Sequence, residues 1–130
     1  NDRSENIRRV AEVAALLSDS GSIVITAFIS PYKIDRERAR EIVPGAFHEI
    51  YIKAGLEVCE DRDPKGLYAK ARRGEINDFT GVDSPYESPE EADLVVDTAN
   101  NSVEQCVELL TSYIDQAFAY PVGGEEESVS

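Results

Sequence analysis

Ile23-Val24-Ile25-Thr26-Ala27-Phe28-Ile29 runs without a charge into Ser30-Pro31-Tyr32. A continuous run rich in β-branched residues predicts a strand buried on both faces, as in a parallel sheet. Pro31 ends it, because proline has no amide to give an interior ladder. On the N-terminal side, Ile7, Val10, Ala14 and Leu17 recur at helical spacing and Gly21 supplies a stop, so Ser4 to Ser20 reads as an amphipathic helix. On the C-terminal side, Asp35 is placed to cap a charged helix reaching about Ile42. Pro44-Gly45 terminates that helix ahead of a second strand near Phe47 to Ile52.

The pattern continues to alternate. A short helix around Leu56 to Glu60 leads into a basic island, in which Asp63 reads as an N-cap, Pro64 as the first helical residue and Gly74 as the stop. The Gly, Pro, Ser and Asp content from Gly74 to Pro89 predicts a long irregular loop, a length that usually carries function or disorder. Leu94-Val95-Val96 is a third short strand. Ser102 and Gln105 then form a capping-box signature for a last helix, with Val103, Cys106, Val107, Leu110 and Ile114 as its buried stripe. Helices alternating with buried strands predict an α/β domain with a parallel sheet, flanking helices and right-handed crossovers. Three strands are few for such a sheet, which fits a domain whose first strand or strands lie upstream of Asn1. Residues 1–121 read as one partial domain, and the small, acidic residues 122–130 as a disordered tail.

Composition narrows the function classes. The 130 residues carry a net charge of −13, yet Arg62 to Arg73 hold five basic residues against Asp63 alone, a local +4 that leaves −17 elsewhere. Overall acidity argues against general nucleic-acid binding, which needs a broad positive surface. The island is of a size to serve one small anion, although its charge alone fits a solvated helix face at least as well. No apolar run reaches 18 residues, which excludes a membrane-spanning helix, and the polar start shows no secretory signal. Two separated cysteines, Cys59 and Cys106, are too few for a disulfide scaffold or a zinc site. Their places on apolar helix faces read as buried reduced thiols, which suits a cytoplasmic protein.

Local chemistry points to few residues. Ser30 stands at the C-terminal end of the predicted strand, where parallel sheets bind ligands, though serines there serve as turn formers or caps more often than as nucleophiles. His48, the single histidine, precedes a strand and reads as structural, so no Ser-His-acid triad is formed. No carboxylate pair has metal-binding or glycosidase spacing, and no metal ligand set is assigned. Arg3, Asn6, Arg8 and Arg9 open the first helix, either as surface charges or at a helix end whose free amides suit an anion. Phe79 lies in a polar loop, where it either anchors the loop or stacks on a planar ligand.

In sequence order, several segments resemble the adenylyl-sulfate kinase family. They are Asp2-Arg3 with Glu5-Asn6-Ile7-Arg8-Arg9, Phe28-Ile29-Ser30-Pro31-Tyr32, Leu56-Glu57-Val58-Cys59, Arg62-Asp63-Pro64-Lys65-Gly66-Leu67-Tyr68, Lys70-Ala71-Arg72, Phe79-Thr80-Gly81 and Pro85-Tyr86-Glu87. The resemblance implies a P-loop nucleoside-kinase-like fold and phosphorylation of adenosine 5′-phosphosulfate at its 3′-hydroxyl, with ATP and Mg2+ as cofactors. It implies substrate contacts at Arg3, Asn6, Ile29, Ser30, Lys65 and Asp78, with Phe79 stacking on the adenine. Ser30 matches a serine that becomes phosphorylated in this family. Arg62, Thr98 and Asn101 match looser positions near ATP. A homodimer and functional coupling to ATP sulfurylase are further implied partners, and the basic segment would act as a mobile cover over bound nucleotides.

Two departures qualify the resemblance. Lys53-Ala54-Gly55 replaces the family's acidic residue, small residue and proline, and no G-x-x-x-x-G-K-[ST] segment occurs anywhere in the chain. That loop would cradle the ATP phosphates and bring the magnesium-binding hydroxyl. The chain therefore reads as a C-terminal part of such a kinase, with little activity expected alone. Against it stand a non-catalytic nucleotide-binding or regulatory domain without the phosphate loop, and a different small-molecule kinase on the same fold.

Overall fold

The computed structural model describes residues 2–119, so the acidic tail expected at 122–130 lies outside the described residues. The order is α1 (Asp2–Asp19), α2 (Lys33–Ile42), β1 (Ile50–Lys53), α3 (Leu56–Arg62), α4 (Leu67–Arg72), β2 (Leu94–Asp97) and α5 (Val103–Ala117). β1 and β2 pair in parallel, Ile50 opposite Leu94 through Lys53 opposite Asp97. α1 packs on α2, and α5 lies against β2. Val96 on β2 is fully buried and marks the centre of the core, which otherwise closes over small residues, Ala11, Ala39 and Ala71. Among the described residues no helix is long and apolar enough to cross a membrane.

The run Ile23–Ile29 departs from the expected strand. It belongs to no helix and makes no ladder pairing, and Ile23, Ile25, Phe28 and Ile29 are 54%, 78%, 53% and 65% exposed. Its composition meets the requirement for a doubly buried strand, but a ladder also needs flanking strands, and the sheet of the described residues has two, β1 and β2. The same lack of cover explains α5. Its capping box forms, Ser102 Oγ accepting from the Gln105 amide and Gln105 Oε1 from the Ser102 amide. Its apolar stripe stays open, however, with Val103 and Val107 76% and 54% exposed. Cys59 and Cys106 are likewise half-buried free thiols and not fully enclosed.

Helix starts moved where long-range bonds compete. α2 begins at Lys33 with Tyr32 as its N-cap, and the Asp35 carboxylate instead accepts a 2.8 Å hydrogen bond from Ser4 Oγ on α1. In the basic island Pro64 stays outside the helix, and Gly66, with φ of 67°, is the N-cap of α4; only glycine adopts that left-handed turn freely. Asp63 still serves the helix start from further back, its carboxylate accepting from the amides of Tyr68 at 3.0 Å and Ala69 at 3.1 Å. Asp63→Ala should therefore lower stability by about 1 kcal/mol, the usual worth of a lost cap. Asp63→Asn should keep only part of it, since its one amide oxygen can serve one of the two N–H groups, and urea midpoints of the two variants will resolve this.

Candidate functional site

The parallel pair fixes a direction: Lys53 and Asp97 lie at the C-terminal ends of their strands, and such edges are where open α/β sheets receive ligands. At this edge Thr98 donates from its amide and its Oγ1 to the Lys53 carbonyl, at 2.9 and 3.0 Å. Arg62 reaches back from the end of α3 to Thr98, with Nη2 on its carbonyl at 2.6 Å and Nη1 on its Oγ1 at 3.1 Å. Asn101 closes the following turn by donating to the Asp97 carbonyl at 2.8 Å. The Asp97 carboxylate accepts from the Ala99 and Asn100 amides and from Asn100 Nδ2. The Asn100 side-chain bond leads the effects that hold its pKa below the ordinary aspartate value. Arg62, Thr98 and Asn101 thus form one network, bonded within the protein.

A second group surrounds a cleft of about 1030 Å³ between α1, the 22–30 segment, α2, β1, α5 and the 79–81 loop. Arg3, Ile29, Ser30 and Phe79 all line it. Arg3 projects from the first turn of α1 to the loop, with Nη2 donating to the Asp78 carbonyl at 3.1 Å and Nη1 to Thr80 Oγ1 at 3.3 Å. It therefore holds the residues on either side of Phe79. Asp83 shapes the loop from inside, its carboxylate accepting from the Asp78 and Phe79 amides at 3.0 and 2.6 Å. These bonds support the left-handed backbone of Asp78, φ 55°. Gly81 is forced as well: φ is 88°, and a Cβ there would meet Leu56 Cδ1 at 3.1 Å. The ring of Phe79 packs edge-on against Tyr68, centroids 4.9 Å apart at 77°. Burial pushes the Tyr68 hydroxyl up, with the Cys59 thiol adding to the effect.

Other expected residues stand apart. Lys65 is exposed in the turn before α4, Asn6 on α1 and Asp78 in the loop before Phe79; none of the three lines the cleft. Beside Asn6, Arg8 and Arg9 are occupied by Glu5, whose carboxyl they hold down at about 2, Arg8 contributing most. In the basic island Arg72 pairs with Glu60 at 2.5 Å and Arg73 with Glu75 at 2.7 Å, so these two charges are balanced surface pairs of small energetic weight. His48 shares its Nδ1 with the Tyr113 hydroxyl at 2.5 Å and packs on Phe118, a tie between the entry of β1 and the end of α5. Sequence reasoning missed Tyr68, Thr80, Asp83 and Arg36 as site-shaping residues. Only Asp83, four residues after Phe79 in a turn-rich segment, left a usable local signal.

A parallel α/β domain in which an arginine, the Ser30 turn and an aromatic loop border one cleft is of the class that receives ligands at such a place. A model of the adenylylsulphate kinase family matches residues 1–97. The chain is 56% identical over 115 residues to the adenylyl-sulfate kinase of Staphylococcus carnosus, covering 88% of this chain and 58% of that protein. It is 58% identical over 113 residues to that of Prochlorococcus marinus, covering 86% and 56%. Its fold superposes with a TM-score of 0.77 on the Mycobacterium tuberculosis APS kinase in complex with AMPPNP and APS, at 46% identity over 85% of this chain and 65% of that one. The chain belongs to the adenylylsulphate kinase family. Its α/β fold is accordingly that of the P-loop NTPases, and it spans somewhat under three fifths of the length of these curated relatives.

Proposed function

We propose that this chain forms the acceptor-nucleotide side of an adenylyl-sulfate kinase, which transfers a phosphoryl group from ATP to the 3′-hydroxyl of adenosine 5′-phosphosulfate. The observation that carries the reading is the bonding of Arg3 to both neighbours of Phe79 in a cleft it shares with Ile29 and Ser30. A guanidinium suits phosphate and sulfate oxygens, and an aromatic face suits a purine. The relatives named adenylyl-sulfate kinase, and the related structure solved with APS, support the same acceptor. In this role Phe79 orients the base, Arg3 fixes the loop and faces the anionic end, and the Ser30 turn forms the opposite wall. Lys65 and Asn6 would join only if the α3–α4 turn and α1 close on the ligand.

The donor side is different. No G-x-x-x-x-G-K-[ST] segment occurs in the 130 residues, and the strand-end carboxylate of Asp97 is bonded to Ala99 and Asn100. These residues do not fit the ATP phosphates or a magnesium ion, so the chain accounts for acceptor recognition and shielding from water, not for activation of the donor. Arg62, Thr98 and Asn101 are proposed as neighbours of the donor nucleotide only. The second reading, favoured by an Asp97 carboxylate already bonded within its own turn, is a binding or regulatory domain that holds the nucleotide without turning it over.

A phosphoryl-transfer assay on the natural gene product, with adenosine 5′-phosphosulfate and competing acceptors, separates the two. The kinase reading expects 3′-phosphorylated product from this acceptor in preference to others. Binding without product from folded protein would leave the binding-domain reading, and no binding would end both.

A further inference from the structure

Asp35 and Arg36, adjacent on α2, are the two buried charged residues among those described, 3% and 9% exposed. Asp35 fastens Ser4, the neighbour of Arg3, to α2. Arg36 does more. Its Nη1 donates to the Ser30 carbonyl at 2.6 Å, its Nη2 to the Glu87 carbonyl at 2.7 Å, and its Nε lies 3.6 Å from Glu49 as counter-charge. Glu87 is held twice more from the same side, its amide donating to the Pro31 carbonyl at 2.8 Å and its carboxylate accepting from the Lys33 amide at 3.1 Å. Ser30 has φ of 43°, a conformation costly for a non-glycine residue unless its surroundings impose it.

We propose that Arg36 is a positioning residue that couples the Ser30 turn to the loop carrying Asp78 and Phe79, so that two walls of the acceptor cleft keep one mutual geometry. The physical reason lies in the fork of the guanidinium. Two N–H groups diverge in a fixed plane and meet carbonyls 57 residues apart in sequence, which the single ammonium of lysine does not reproduce. Desolvating an arginine is costly, and it is retained here where its bonds reach the Ser30 turn and the root of the loop. The importance of this coupling for acceptor binding rests on the function proposed above; the coupling itself does not.

Amide hydrogen exchange on the intact chain tests the coupling. In the wild type, the bonded amides of Lys33 and Glu87 and those of residues 78, 79 and 81–84 should share one opening free energy and one urea dependence, as members of a single cooperative unit do. Arg36→Lys should raise exchange in both groups together, by about tenfold or more, while α5, β1 and β2 keep their protection. Arg36→Met should do the same, and should it not fold, Arg36→Lys and the wild-type urea series decide. Opening at Lys33 and Glu87 without the amides of 78–84, or a uniform rise along the chain, would overturn the proposal. Titration with adenosine 5′-phosphosulfate adds the functional arm, with an expected weakening of about tenfold in Arg36→Lys. Coupled exchange in a wild-type protein that binds no such nucleotide would sink the acceptor-site reading and leave the coupling standing.

Discussion

Phe79→Ala is expected to weaken binding of adenosine 5′-phosphosulfate by about 1–3 kcal/mol, roughly 5- to 150-fold in Kd, on the scale of base–aromatic stacking. The loop backbone should survive the change, because Asp83 and Arg3 hold it through the amides of 78 and 79, the Asp78 carbonyl and the Thr80 hydroxyl, none of which the substitution removes. Phe79→Tyr preserves the ring and should bind within a few-fold of the wild type. Calorimetric titration of both variants checks this. An affinity unchanged by alanine would take Phe79 out of the nucleotide site and leave its contact with Tyr68 as its whole role.

Val96→Asp is expected to cost about 4 kcal/mol or more, because an unpaired carboxylate would enter the one fully buried large side-chain position among those described. With typical domain stabilities of about 5–15 kcal/mol, such a loss removes much of the folded margin. Val95→Asp is the control, since Val95, on the opposite face of the same strand, is 49% exposed and a charge there keeps its water. Thermal and urea unfolding followed by circular dichroism should show a much lower midpoint for Val96→Asp than for Val95→Asp. Equal losses would place the core somewhere other than between β2 and α5.

Features decided within a few residues were legible in the chain. Ser102 and Gln105 satisfy one another's helix-end amides three residues apart, so the start of α5 needed no tertiary information. The Gly74–Pro89 loop was readable from turn-forming residues, and its Phe79-Thr80-Gly81 motif carried the resemblance to the adenylylsulphate kinase family. The acceptor residues Arg3, Ile29, Ser30 and Phe79 came from matched motifs, and the structure brings these four to one cleft. The motifs also named Asn6, Lys65 and Asp78, which the structure leaves outside its lining.

By itself, then, the sequence determined the alternation of helices with apolar runs, the start of α5 and the family, because each rests on local backbone bonding or on contiguous residues. Tertiary structure alone decided the rest. It turned Asp35 from a cap into the partner of Ser4, left Ile23–Ile29 without a ladder, closed Arg3 on a loop 75 residues away and buried Arg36 between Ser30 and Glu87. A strand run states only that its side chains prefer burial, and a charged residue on a helix states nothing about its partner. Both outcomes depend on which distant backbone groups come within about 3 Å once the chain is packed.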